Sequence, residues 1–104
     1  MIRGTTPTLL YKLPFSADLI KSAEITILYV DGLKKVLIVK TLEDCVLGET
    51  TISARLTQEE TLQLPAPAYV HIQLRVVLKT DDVVLATEPH VVTVKKLLAE
   101  DVIE

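Results

Sequence analysis

The side chains best suited to nucleophilic or metal chemistry are one cysteine and two histidines. Their surroundings argue against both. Cys45 follows Glu43 and Asp44, and a reactive thiol needs a positive environment to lower its pKa; two neighbouring acids act the other way. It reads as an ordinary small residue near a strand start. His71 lies on the polar face of an alternating run, and His90 follows Pro89. Both read as solvent-facing strand histidines, although a return hairpin offers a way to bring them near each other. A zinc site takes four ligands from Cys, His and carboxylates, and no such spacing is present. The acidic pairs Glu59-Glu60, Asp81-Asp82 and Glu100-Asp101 suit solvated turns or helix starts better than an acid/base couple. With only three glycines, Gly4, Gly32 and Gly48, there is no loop to cradle a phosphate. No catalytic residue, metal ligand, cofactor or small-molecule ligand is expected, and the chain does not read as an enzyme.

The elements carrying these residues are strands. Val70, Ile72, Leu74, Val76 and Leu78 alternate with His71, Gln73, Arg75 and Val77. Successive strand side chains point to opposite faces, so this run has one buried and one mostly polar face. A helix would scatter the same aliphatics around its girth. Residues 24–30 and 35–40 are β-rich, and Asp31-Gly32 between them suits a tight hairpin. Residues 51–56 alternate again, after a short strand over 45–47 and a turn at Gly48-Glu49. Thr80-Asp81-Asp82 turns the chain into 83–87, with either Val83 and Leu85 or Val84 and Ala86 facing inward. Pro89 interrupts that run and 91–95 resumes it; proline lacks the ladder donor, which predicts an edge position or a bulge. Leu9, Tyr11 and Leu13 suggest a first strand.

Two short segments look helical. Thr57-Gln58-Glu59-Glu60 fits a capping box, with Pro65 and Pro67 ending the helix after about two turns, and residues 16–20 suggest a single turn. The total is about seven short strands with one or two helical turns. That spacing predicts an all-β, antiparallel, two-sheet sandwich of immunoglobulin-like type, with a small barrel as the rival. Crossover helices of about ten or more residues, which a parallel sheet needs, cannot be placed.

Composition fits one domain over 1–104. The hydrophobic fraction is 49% and the mean hydropathy +0.39, supplied by Val, Leu, Ile and Ala, types that favour pleated, half-buried surfaces. A lone cysteine excludes an internal disulfide framework. No signal peptide is expected from Met1–Pro7, and no apolar run reaches the roughly 18 residues of a membrane span. The net charge is −3 and the basic residues are scattered, so neither a nucleic acid nor a membrane is the expected partner. The shortage of aromatics weighs against a sugar-binding module.

Both ends suggest contacts with protein. Residues 1–7 form a polar leader, of a kind that stays mobile unless it docks. Residues 97–104 form an apolar and acidic tail. Leaving Leu97, Leu98, Val102 and Ile103 in water costs about 25 cal/mol per Å² of apolar surface, so they either close the domain's own core, as helix or strand, or bury on a neighbour. They are the candidate interaction residues.

Met1-Ile2-Arg3-Gly4-Thr5-Thr6-Pro7-Thr8, Leu13-Pro14-Phe15, Glu43-Asp44-Cys45, Leu56-Thr57-Gln58-Glu59-Glu60-Thr61-Leu62 and Ile72-Gln73-Leu74-Arg75 resemble segments of small uncharacterised proteins of Firmicute phages and prophages. The resemblance spans nearly the whole chain but brings no site residues. More loosely, the β-rich pattern with a Leu-Thr-x-Glu-like turn before a long alternating strand is similar to the N-terminal domain of phage baseplate upper proteins, without their helical stalk and receptor-binding continuation. The resemblance implies a non-enzymatic structural or assembly module, tail- or baseplate-associated. It would act through a protein partner or self-association in the bacterial cytoplasm during phage assembly or in the virion. The alternative is a small-ligand-binding sandwich or barrel, for which a deep pocket lined by Tyr11, Tyr29 or Tyr69 is the required feature.

Overall fold

Residues 1–96 are described by the structure, a computed structural model. Its strands are β1 (Thr8–Lys12), β2 (Ile20–Asp31), β3 (Lys34–Thr41), β4 (Cys45–Leu47), β5 (Thr51–Arg55), β6 (Ala68–Leu78), β7 (Val84–Ala86) and β8 (His90–Val94), with one short helix, α1 (Gln58–Leu62). They form two antiparallel sheets, the smaller ordered β1-β5-β4 and the larger β3-β2-β6 with β7 and β8 both against β6. The expected all-β sandwich is what forms, and principal extents of 46 × 33 × 18 Å suit two stacked layers. Among the described residues the strands number eight rather than about seven, the segments on either side of Pro89 standing as two separate strands.

The split is a bulge. Arg75 lies opposite Ala86 and Val77 opposite Val84, whereas Ile72 lies opposite His90 and Ala68 opposite Val94, so one extra residue enters between the two segments. Thr87 repairs the ladder there. Its hydroxyl accepts the Leu74 N–H at 3.0 Å, and its carbonyl accepts the Gln73 side-chain amide at 2.8 Å. The hairpin register is thereby decided: Leu85 shares the inward face with Val76, opposite it.

The core follows the period-two pattern. Val70, Ile72, Leu74 and Val76 are buried, and Leu78, at the strand end, is half-buried. Ala23, Ile25 and Ile27 of β2 line the same face, with Ile52, Ala54 and Leu56 from the smaller-sheet side. β2 starts at Ile20, earlier than residues 24–30 suggest, directly after a 3-10 turn over Ala17–Leu19. The β2–β3 hairpin is centred one residue later than Asp31-Gly32. Asp31 pairs with Lys34, leaving a two-residue loop, Gly32-Leu33. Gly32 at φ +55 takes the first central position, where a type II′ hairpin places glycine.

The capping box forms as read. Thr57 Oγ1 accepts the Glu60 N–H at 3.1 Å, and Glu60 Oε1 accepts the Thr57 N–H at 2.8 Å. The helix is shorter than two turns. Beyond Leu62 the chain is drawn off by Leu64, which is fully buried, while the Arg3 guanidinium donates to the Leu62 and Leu64 carbonyls at 2.6 and 2.7 Å.

That guanidinium belongs to the leader, which docks. Ile2 bridges Lys95 in parallel, the Gly4 N–H donates to Thr61 Oγ1 at 3.0 Å, and that hydroxyl donates to the Thr5 carbonyl at 2.8 Å. Thr61 is wholly buried, and burial of a hydroxyl is tolerable only with such partners. The leader thus seals one end of the sandwich.

Candidate interaction surface

Cys45, His71 and His90 do not assemble a site. The Cys45 thiol donates to the Thr41 carbonyl at 3.2 Å. Burial and then the Asp44 carboxylate push its pKa up, against a smaller downward pull from Lys40. A thiol held protonated is a poor nucleophile. His71 lies opposite Val91, and His90 opposite Ile72. The hairpin makes the two histidines neighbours in register but on opposite faces. His90 is on the inward face at the sheet edge, where it is exposed, as expected, with its ring 5.8 Å from that of Tyr11 in an edge-on contact. Among the described residues no group of three His, Cys, Asp or Glu could hold a metal ion. Leu97, Leu98, Val102 and Ile103 lie outside the described residues.

A cleft of about 200 Å³ opens between the layers, lined by Tyr11, Phe15, Leu74, Val76, Leu85 and Thr87 among others. Of the three tyrosines, only Tyr11 lines it. Tyr69 is exposed on the outer face, and the Tyr29 hydroxyl donates to Asp31 Oδ2 at 3.2 Å. The Tyr11 hydroxyl is buried and has no hydrogen-bond partner among the described residues, and burial raises its pKa.

The sheet edges differ sharply. An edge strand offers a row of free N–H and C=O groups, which proteins blunt with brevity, bulges, proline or a cover. In the larger sheet, the β7–β8 edge carries the bulge and Pro89, and Met1–Arg3 runs along its end. There the Arg3 N–H donates to the Lys95 carbonyl at 2.9 Å and the Lys95 N–H to the Met1 carbonyl at 2.7 Å. In the smaller sheet, β1 and β4 have five and three residues. Among the described residues β3 has none of these four protections; what guards it is charge, Lys34 and Lys35 at its start and the inward-pointing Lys40, which discourages indiscriminate pairing. Its eight residues pair with β2 in one unbroken register, contain neither proline nor glycine, and pair with no other strand among the described residues.

The outer face beside this edge is apolar. Leu37 lies across from Leu28, which lies across from His71, which lies across from Val91. Leu37 is 52% exposed, Val39 39%, Val30 58% and Tyr69 69%. The inner side of β3 is fixed differently. Ile38 is buried, and Lys40, 8% exposed, reaches Glu60 Oε1 at 2.5 Å. Burial pushes the Glu60 carboxyl up, but the Lys40 ammonium and the Thr57 N–H outweigh it and hold it below the usual carboxylate value. The Lys40–Glu60 pair ties β3 to the start of α1.

Comparison of the chain with protein-family models and with curated proteins finds no match. Geometry is therefore the guide to its function. Sequence reading places the candidate interaction residues in the tail and does not single out the exposed Leu37 and Val39. The available signal is the unbroken Val36-Leu37-Ile38-Val39 run, apolar on both faces where a half-exposed strand alternates.

Proposed function

We propose that the protein is a non-enzymatic structural or assembly module that works by protein–protein contact, with a phage tail or baseplate as its setting. The observation that carries the reading is β3, a long, regular edge flanked by exposed Leu37 and Val39. Such an edge takes up a further strand through main-chain hydrogen bonds, while flanking side chains set specificity. The phage setting rests on the resemblance of the leader and of residues 56–62. The test is affinity capture from a lysate of phage-induced Firmicute cells, with Val39→Glu in parallel. Capture of a tail or baseplate protein, lost in Val39→Glu, is the expected result. Capture unaffected by that change, or of metabolic enzymes only, overturns the reading.

A second reading rests on the inter-layer cleft, whose size and apolar lining suit a small, largely apolar molecule. Ligand-observed NMR with small aromatic and aliphatic probes tests it. Binding abolished by Leu85→Trp, which fills the cleft, supports it; absence of binding by every probe rejects it.

A further inference from the structure

We infer that β3 is the seat of a two-fold dimer in which the β3 strands of two copies pair antiparallel and join the larger sheets into one. The inference rests on the reading of β3 as a contact edge and names its occupant as a second copy of this chain.

Self-pairing is favoured by the charges at the two ends of the strand. Lys34 and Lys35 open β3, and Glu43 and Asp44 stand in the 3-10 turn directly after it. An antiparallel pair lays the basic end of each copy beside the acidic end of the other, twice, as a two-fold interface requires. An unrelated strand gains this match only if its own charges repeat the order.

The register follows from the faces. Opposite residues of paired strands share a face, and in β3 Leu37 and Val39 point outward while Ile38 and Lys40 point inward. A two-fold axis at Leu37 sets Lys34 against Lys40 of the second copy, like charge against like. An axis at Val39 sets the buried, apolar Ile38 against Lys40. An axis at Ile38 avoids both, and leaves Lys34 and Lys35 diagonal to Asp44 and Glu43 of the second copy, two positions along from the residues directly opposite them. It sets Leu37 against Val39 of the second copy on the outer face, Ile38 against itself and Val36 against Lys40 on the inner face, and Lys35 against Thr41. The outer apolar strip of Leu28, Val30, Leu37 and Val39 then runs on across the axis, and the exposed edge is gone.

Cysteine pairing at defined positions reads this register. In a Cys45→Ser background, Leu37→Cys and Val39→Cys are prepared separately and then mixed under mild oxidation. Directly opposed positions are close enough for a disulfide, whereas 37 and 37 of two copies are diagonal, about 7–8 Å apart, at or beyond bridging reach. The expected outcome is a cross-linked dimer in the mixture and little in either variant alone. Sedimentation of the wild type should show a dimer that weakens in high salt. Leu37→Lys, at an exposed position, should be monomeric with an unchanged circular dichroism spectrum.

Cross-linking of Leu37→Cys with itself in preference to the mixture overturns the register. A wild type monomeric at high concentration overturns the dimer, yet leaves the assembly reading standing if lysate capture is still lost in Val39→Glu. A dimer with the expected cross-link that captures nothing upholds the inference and counts against the phage setting.

Discussion

Glu60 performs two tasks with one carboxylate, closing the α1 capping box and neutralising the buried Lys40 ammonium. Removing one partner of a buried ion pair leaves the other charge uncompensated, a larger loss than removing both. Glu60→Gln is expected to cost about 2–3 kcal/mol of stability by denaturant unfolding, toward the low side because the pair is not fully dry. Adding Lys40→Met should restore part of that loss. Because the native carboxyl lies below its ordinary value of 4.5, its contribution is complete above that value and is lost as pH falls through the native pKa. The wild type should therefore lose stability on acidification below about pH 4.5 more steeply than Glu60→Gln, measured as urea midpoint against pH. At Gly48 the issue is space. An added Cβ lies 2.3 Å from Thr51 Oγ1, a side-chain hydroxyl at an exposed turn that must rotate aside, so Gly48→Ala should cost no more than about 0.5–1 kcal/mol, and the Gly48→Ala/Thr51→Ala double variant should recover it.

At the scale of elements, turn chemistry explains most of what was legible. The Thr57 box and the hairpin glycine carry their geometry in residue type alone, and both form, the hairpin one residue late because Asp31 is drawn into the ladder opposite Lys34. The β6–β7 turn has a costlier solution. Asp81 and Asp82 both adopt positive φ, 54° and 51°, a region that glycine enters freely and that asparagine and aspartate tolerate best among residues with a side chain. Combining Asp81→Asn with Asp82→Gly sacrifices the Lys21–Asp82 contact, which is exposed and worth little. The double change should still stabilise the protein by about 0.5–1 kcal/mol, seen as a higher melting temperature. The β7–β8 bulge was foreshadowed by Pro89. Its repair by Thr87 and Gln73 was not, because it depends on which side chains the register sets beside the gap.

Over the whole molecule, the leader acts as a clasp. Ile2 extends the edge of the larger sheet at Lys95, the Pro7 carbonyl accepts the Leu56 N–H at 2.9 Å, and Arg3 and Thr61 join it to α1. Arg3→Ala strips a charge-assisted donor from the Leu62 and Leu64 carbonyls, and should cost about 1–3 kcal/mol in thermal or chemical unfolding. Hydrogen exchange should show the loss concentrated in α1 and the end of β8. No helix among the described residues is long and apolar enough to cross a membrane, and the exposed apolar strip is instead the outer face of a sheet.

Alternation with period two was enough to determine the all-β class, the inward face of β6 and, with the Thr57 motif, the helix cap, because these depend on residues within a few positions of one another. Thermodynamics of contact between distant segments decided the rest. Which of Val84 or Leu85 turns inward, on which faces His71 and His90 fall, that Arg3 serves α1, and that among the described residues β3 is left without bulge, cover or brevity are properties of how strands meet. A strand without proline, such as β3, does not reveal from its own residues whether it stands at the centre of a sheet or at its margin; only its neighbours do.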